Sequence, residues 1–289
     1  MAFHKILVGV GRTETSLAAA RWAAGQFAAT ATTVLVGCSR AGASGDRAPL
    51  RAELEPVLER LREELGAERT RALVRDGAPA SCLAAAAAEF AVDLVCIGAP
   101  RPRELASLTG TAERLLHDCR AALLVVRGRV AGRPRRILAS VDQSDLTDAV
   151  LRAVAELAQD AVHTAVVHAL PHRYTGVAAL LSSSRNAGEL EGKQEAQARQ
   201  WLEARLAAAG LPIASVEVLI GRGDPAHVIR HAAEQQGTDL IVAGNRGAGA
   251  VGRIVLGSVA RSLVHEAPCP VLLVREHATQ PSEASSGST

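Results

Sequence analysis

The apolar positions of the chain follow two alternating rhythms. Short, near-continuous runs of Val, Ile and Leu are separated by longer amphipathic stretches rich in Ala and Leu at helical spacing. The runs predict strands at residues 5–11, 32–38, 70–76, 93–98 and 121–126, and again at 135–142, 163–169, 215–221, 239–244 and 270–275, with a helix between successive strands of each half. KILVGVG from Lys5 restarts as RILASVD from Arg136, DLVCIGAP from Asp93 as DLIVAGNR from Asp239, and ALLVVR from Ala122 as VLLVR from Val271. The second half thus repeats the first. Apolar strands alternating with helices imply a parallel sheet covered on both faces, because each crossover helix must lie on one of them. The expectation is α/β: two tandem domains, each a five-stranded parallel sheet with helices on both faces. They span residues 1–128 and 136–276, with a linker at 129–135 and a tail at 277–289 that lacks large apolar residues and should be disordered. Ligands of such sheets bind beyond the carboxyl ends of the strands, where strand order reverses.

The segments between these anchors add less. GRVAGRPR, from Gly128 to Arg135, has the glycines, proline and arginines of an exposed linker. The insertion starting at Pro171 is longer than its counterpart in the first half, as lids and merely mobile loops both are. Of the 289 residues 48% are hydrophobic and 21% charged, enough to bury two ordinary cores. The formal charge is only +2 and contains no long one-sign block, so nucleic acid is not the expected partner. Aromatic residues make up 2%, which removes the stacking platforms of single-strand binders. The first apolar run is too short to span a membrane and shows no cleavage pattern. Cys38, Cys82, Cys96, Cys119 and Cys269 form no C-x-x-C pair and read as buried thiols in a reducing compartment. A cytoplasmic protein with no membrane partner is the expectation.

The stretch GNRGAGAVGRIVLGSVARSL, from Gly244 to Leu263, carries the most chemistry. It follows a predicted strand and runs into a helix beginning near Gly257 and Ser258. Unpaired N–H groups and the dipole at a helix start favour an anion, and glycines let phosphate oxygens approach the main chain. Ser258 adds a hydroxyl, while Arg246 and Arg253 carry neutralising charge. Taken alone, the loop also fits a tight turn with Ser258 capping the helix. A Walker site is excluded, since Lys5 precedes Ile6 and Lys193 precedes Gln194. GAGAVG, from Gly247, matches G-x-G-x-x-G formally, with Glu276 in the place of a ribose-binding acid, but it precedes a last strand instead of opening a βαβ unit. His227 and His231 stand four apart without a third ligand at a recognisable spacing, and read as two surface histidines. His168, on a strand, reads as a satisfied core histidine. No nucleophile elbow occurs, and no base can be assigned to Ser258.

Gly244, Gly247, Gly257 and Ser258 together reproduce a G-x2-G-x9-G-(S/T) spacing. This pattern resembles the loop of ATP-binding universal stress proteins. ILASVDQS, VVHAL and GDP, which place Asp142, Ala169 and Pro225, resemble that family as well, and the likeness extends to both halves as the tandem type. The resemblance implies a Rossmann-like, adenine nucleotide alpha hydrolase-like fold and an adenine nucleotide, ATP alone or with Mg, as ligand. It further implies that Asp142 meets the ribose and that backbone around Ser140, Val141 and Ala169 lines the adenine. Ala243, Gly244, Gly247, Gly257, Ser258 and Val259 would hold ribose and phosphates. Asp142 as a mere helix cap is the plainer alternative. The first half departs from the pattern: Gly11 stands in place of Asp142, Arg101 in place of the second glycine, and Pro100 and Pro102 remove donors from a loop shortened before Gly110. It is expected to be a degenerate repeat. The family also implies regulation by occupancy, without catalysis, and domains paired like a fused dimer. A further homodimer and an unidentified protein partner complete the expectation. A slow nucleotide hydrolase and a partner-binding module with no nucleotide are the rivals.

Overall fold

The computed structural model describes residues 3–27, 31–39, 48–99, 105–128, 130–171, 184–246 and 257–275. Arg101, Gly247, Arg253, Glu276, the tail and most of the insertion after Pro171 lie outside these residues. The first half runs β1 (Lys5–Val10), α1 (Glu14–Phe27), β2 (Thr32–Ser39), α2 (Ala48–Glu64), β3 (Thr70–Asp76), α3 (Pro79–Glu89), β4 (Leu94–Gly98), α4 (Leu105–Asp118) and β5 (Ala122–Val126). The second runs β6 (Arg136–Ser140), α5 (Thr147–Leu157), β7 (His163–Leu170), α6 (Ser184–Ala208), β8 (Val216–Arg222), α7 (Pro225–Gln235), β9 (Leu240–Gly244), α8 (Ser258–Glu266) and β10 (Val271–Val274).

All strands join one ten-stranded sheet in the order β3-β2-β1-β4-β5-β10-β9-β6-β7-β8. Every neighbouring pair is parallel except β5 with β10, which meet antiparallel through Val125–Val271, Leu124–Leu272 and Leu123–Leu273. Each half contributes five mutually parallel strands, as expected, and the two sets join edge to edge through their closing strands. Each half leaves one apolar edge open, and the two edges satisfy each other's backbone groups. Alternate residues of a strand face opposite ways. Accordingly Ile6, Val8 and Val10 pack with α1, α2, α5 and α6 on one face, whereas Leu7, Val95 and Ile97 pack with α3, α4, α7 and α8 on the other.

Repeated sequence produces repeated clamps. Asp93, ahead of β4, accepts from the N–H groups of His4 and Lys5 at 2.8 and 2.9 Å. Asp239, ahead of β9, accepts from those of Arg135 and Arg136 at 3.0 and 2.9 Å. Across the junction, Arg127 donates from Nη1 to the carbonyls of His265 and Ala267 at 3.0 and 3.3 Å, and from Nη2 to that of Val264. Arg275 answers by donating to the carbonyl of Leu116 at the end of α4. A guanidinium at a helix C-terminus meets the negative end of the dipole. Burial holds both arginines below the ordinary guanidinium range, partly offset by neighbouring Cys269 and Cys119 respectively, and Arg246 presses Arg275 lower still. The linker is less free than its composition implies: Pro134 is buried, and the Gly132 carbonyl accepts from Trp22 Nε1 at 2.8 Å and Gln26 Nε2 at 3.1 Å. Among the described residues no helix is long and apolar enough to cross a membrane.

Candidate functional site

Several segments of the second half end at one place. The end of β6 delivers Ser140 and then Val141 and Asp142, β7 delivers Ala169, and β9 delivers Ala243 and Gly244 with Arg246 just beyond. With Gly257, Ser258 and Val259 at the start of α8 they surround a cavity of about 520 Å³, within the roughly 300–1,000 Å³ usual for small-molecule sites. The cavity lies beyond the carboxyl ends of β6 and β9, where the strand order turns back. Gly247 and Arg253, expected in the same site, are not among the described residues.

Pro225 of the GDP motif lines the cavity too, and so do Leu146, Thr147, Val150, Ile229 and Ala260, which sequence reasoning did not single out. Val150, Ile229 and Ala260 sit on helical stripes that continue into the core, and Leu146 and Thr147 stand at the start of α5, so spacing alone gives them no signal distinct from packing. Their contribution is an apolar wall beside the polar groups of Ser140, Asp142, Thr147, Arg246 and Ser258.

Asp142 does not cap a helix. The N-cap of α5 is Leu146, without a side-chain cap bond, because residues 143–146 form a further turn before the helix begins. The Asp142 carboxylate instead accepts from Ser144 N at 3.1 Å and from Ser144 Oγ, while Thr147 Oγ1 donates to the Asp142 carbonyl. These bonds hold a half-buried acid at the cavity wall. Ser258 is not a cap either. Gly257 takes the N-cap position with φ −63° and ψ 143°, and its carbonyl accepts the first helical bond from Arg261 N at 3.0 Å. Ser258 is then already helical. With no side chain on the cap, the α8 N-terminus lacks the internal acceptor that α7 possesses, where Asp224 accepts from His227 N at 2.9 Å. The positive end of α8 is thus turned to the cavity, and among the described residues no side-chain acceptor caps it.

The equivalent positions of the first half are altered in kind. Gly9 occupies the place of Ser140, and a Cβ on it would meet Leu83 Cδ1 at 3.1 Å, so Leu83 fills that space. Gly11 replaces Asp142 and donates to Ser16 Oγ at 2.8 Å. Cys38 stands where β7 has Ala169. The shortened loop has a larger effect than a shifted start: α4 begins at Leu105, leaving Gly110 inside the helix.

His227 and His231 are exposed and stack with ring centroids 6.2 Å apart, and no group of three or more potential metal ligands occurs among the described residues. The cysteines are free, with Cys82, Cys96, Cys119 and Cys269 buried.

A doubly wound α/β protein with a cavity at the switch point of its second repeat is the class these features define. The profile of the universal stress protein family matches residues 2–127 and again residues 134–275, and the chain belongs to that family. A universal stress protein of Thermus aquaticus is 54% identical over 59 residues, 20% of this chain and 43% of that protein. Universal stress protein YxiE of Bacillus subtilis is 27% identical over 151 residues, covering 48% of this chain and 98% of the relative. Among solved structures, a universal stress protein from Archaeoglobus fulgidus superimposes with a TM-score of 0.67 at 21% identity, covering 93% of this chain and 97% of that one. This last likeness speaks for the tandem fold.

Proposed function

We propose that the second half binds one adenine nucleotide per chain, ATP alone or with Mg, and that occupancy, without turnover, is the regulatory event. The observation that carries this reading is the convergence of the uncapped α8 N-terminus and the Asp142 carboxylate on a single cavity. An anion suits the former and ribose hydroxyls suit the latter, while the apolar wall suits a base. The G-x2-G-x9-G-S spacing supports the same ligand. The first half serves as scaffold, because Leu83, Gly11 and the early start of α4 leave it without the corresponding groups. Mass analysis of small molecules released on denaturation, followed by calorimetric titration with ATP, tests the reading. Retained or titrated nucleotide at one per chain without hydrolysis is the expected result. Two per chain would restore the first half as a site, metal-dependent turnover would make the protein an enzyme, and no affinity would leave a partner-binding module.

A further inference from the structure

The imidazole of His168 is buried and bonded to the backbone beside the cavity. It is 5% exposed, lies at the carboxyl-terminal part of β7, and places Nδ1 2.9 Å from the Val141 carbonyl oxygen. A carbonyl can only accept, so Nδ1 carries the proton and donates. The ring also packs against Trp201 of α6, with centroids 5.4 Å apart and planes inclined by 49°. Val141 is therefore tied at both ends, since its N–H donates to the Val167 carbonyl at 3.1 Å. Val141 lies between Ser140 and Asp142, and all three line the cavity.

The first half supplies an internal control. There β1 stays in register with β2 through Val10 and Gly37, whereas β6 pairs with β7 only through Ser140 and Val167. Gly37 is the counterpart of His168, and a Cβ there would already meet Leu58 Cδ1 at 3.0 Å. The half that has Gly37 for His168 also has Gly11 for Asp142. Where the imidazole is present, the strand stops one residue earlier and the acid follows two residues on, after Val141.

Resting on the nucleotide reading above, we infer that His168 is the positioning residue of that site: its Nδ1–H fixes the Val141 carbonyl and so sets Ser140 and Asp142 against the ligand. It touches Val141, and acts on the ligand only through that backbone.

The test compares ATP affinity by calorimetry in the full chain and in H168L, H168N and H168Q, each checked for an unchanged fold by circular dichroism. Asn presents an amide N–H where Nδ1 stands and restores the donor. Leu fills space without donating, and Gln places its amide farther out, toward the position of Nε2. H168L and H168Q should bind at least about tenfold more weakly, as loss of one oriented contact entails, while H168N stays within about threefold of the parent. A core role alone would make binding follow stability and would not single out Asn. Parental affinity in H168L overturns the inference, as does an H168N variant that folds but binds as weakly as H168Q. If H168L does not fold, the comparison of Asn with Gln still decides. A parent that binds no ATP fails the nucleotide reading itself, and this inference with it.

Discussion

A methyl group on Gly244 would lie 3.0 Å from Leu146 Cδ1 and 3.1 Å from the Arg246 carbonyl oxygen. Leu146 can yield, but a backbone oxygen between a strand end and the cavity cannot do so cheaply. Gly244→Ala should therefore destabilise by about 1–3 kcal/mol, seen as a lower urea midpoint. The buried thiols supply a pH dependence. Burial raises Cys269 from 9.0 to about 12, and Cys96 rises for the same reason. A thiol raised in the folded state stays protonated there while the unfolded chain ionises, so stability is intact below about pH 9 and declines above it. Each such thiol contributes at most about 1.4 kcal/mol per pH unit. Urea midpoints at mildly and strongly alkaline pH should fall less steeply for Cys269→Ala than for the parent. Equal slopes would mean that this thiol ionises as readily folded as unfolded.

The last two helices of the second half start in different ways. At α7, Asp224 provides the acceptor that the first turn needs, and Pro225 follows in the position where a missing N–H costs nothing. At α8, Gly257 has no side chain to offer such an acceptor. Gly257→Asp would copy the α7 cap onto α8, and its backbone already has the extended conformation a cap requires. The substitution should raise the thermal midpoint slightly, with about a few tenths of a kcal/mol of added helix stability, because glycine is itself a tolerated cap. It should also weaken ATP by more than tenfold, because the carboxylate occupies and repels where phosphate would bind. Binding unchanged beside a raised midpoint would place the anion elsewhere. Strands and their order of types were readable from periodicity, since Val/Ile/Leu runs such as those of β1 and β6 have no other use. Periodicity marks Ser140, Asp142 and Gly244 only as lying at or just past strand ends; that they line one cavity followed from the resemblance to the universal stress protein loop. Leu146 and Ile229 were not readable, because a cavity wall and a core contact have the same composition. The true cap of α8 was also hidden: Gly257 and Ser258 are both acceptable caps, and only the backbone distinguishes them.

At the scale of the molecule, the β5–β10 junction turns two incomplete sheets into one. Leu123, Leu124, Leu272 and Leu273 are nearly inaccessible there, and Glu113 of α4 adds contacts to His265 Nε2 at 3.2 Å and Arg261 Nε at 3.3 Å of α8. Residues 1–130 produced alone should expose the β5 edge and self-associate or aggregate, measured by gel filtration with light scattering. A stable monomer would show that the junction is dispensable. The lone antiparallel pair lies between the two closing strands, where the expected pairing of the halves like a fused dimer puts the contact, although the periodicity of either repeat carries no mark of it.

Gly132 has a consequence of another kind. Because its carbonyl is held by Trp22 and Gln26, the connection between the halves is short and anchored, and β10 meets β5 as a neighbour on the same chain. Their encounter is then first order, with a local concentration fixed by the tether instead of by how much protein is present. The melting midpoint should be the same in dilute and concentrated solution. Cutting the chain near Gly132 would make the same contacts sensitive to dilution.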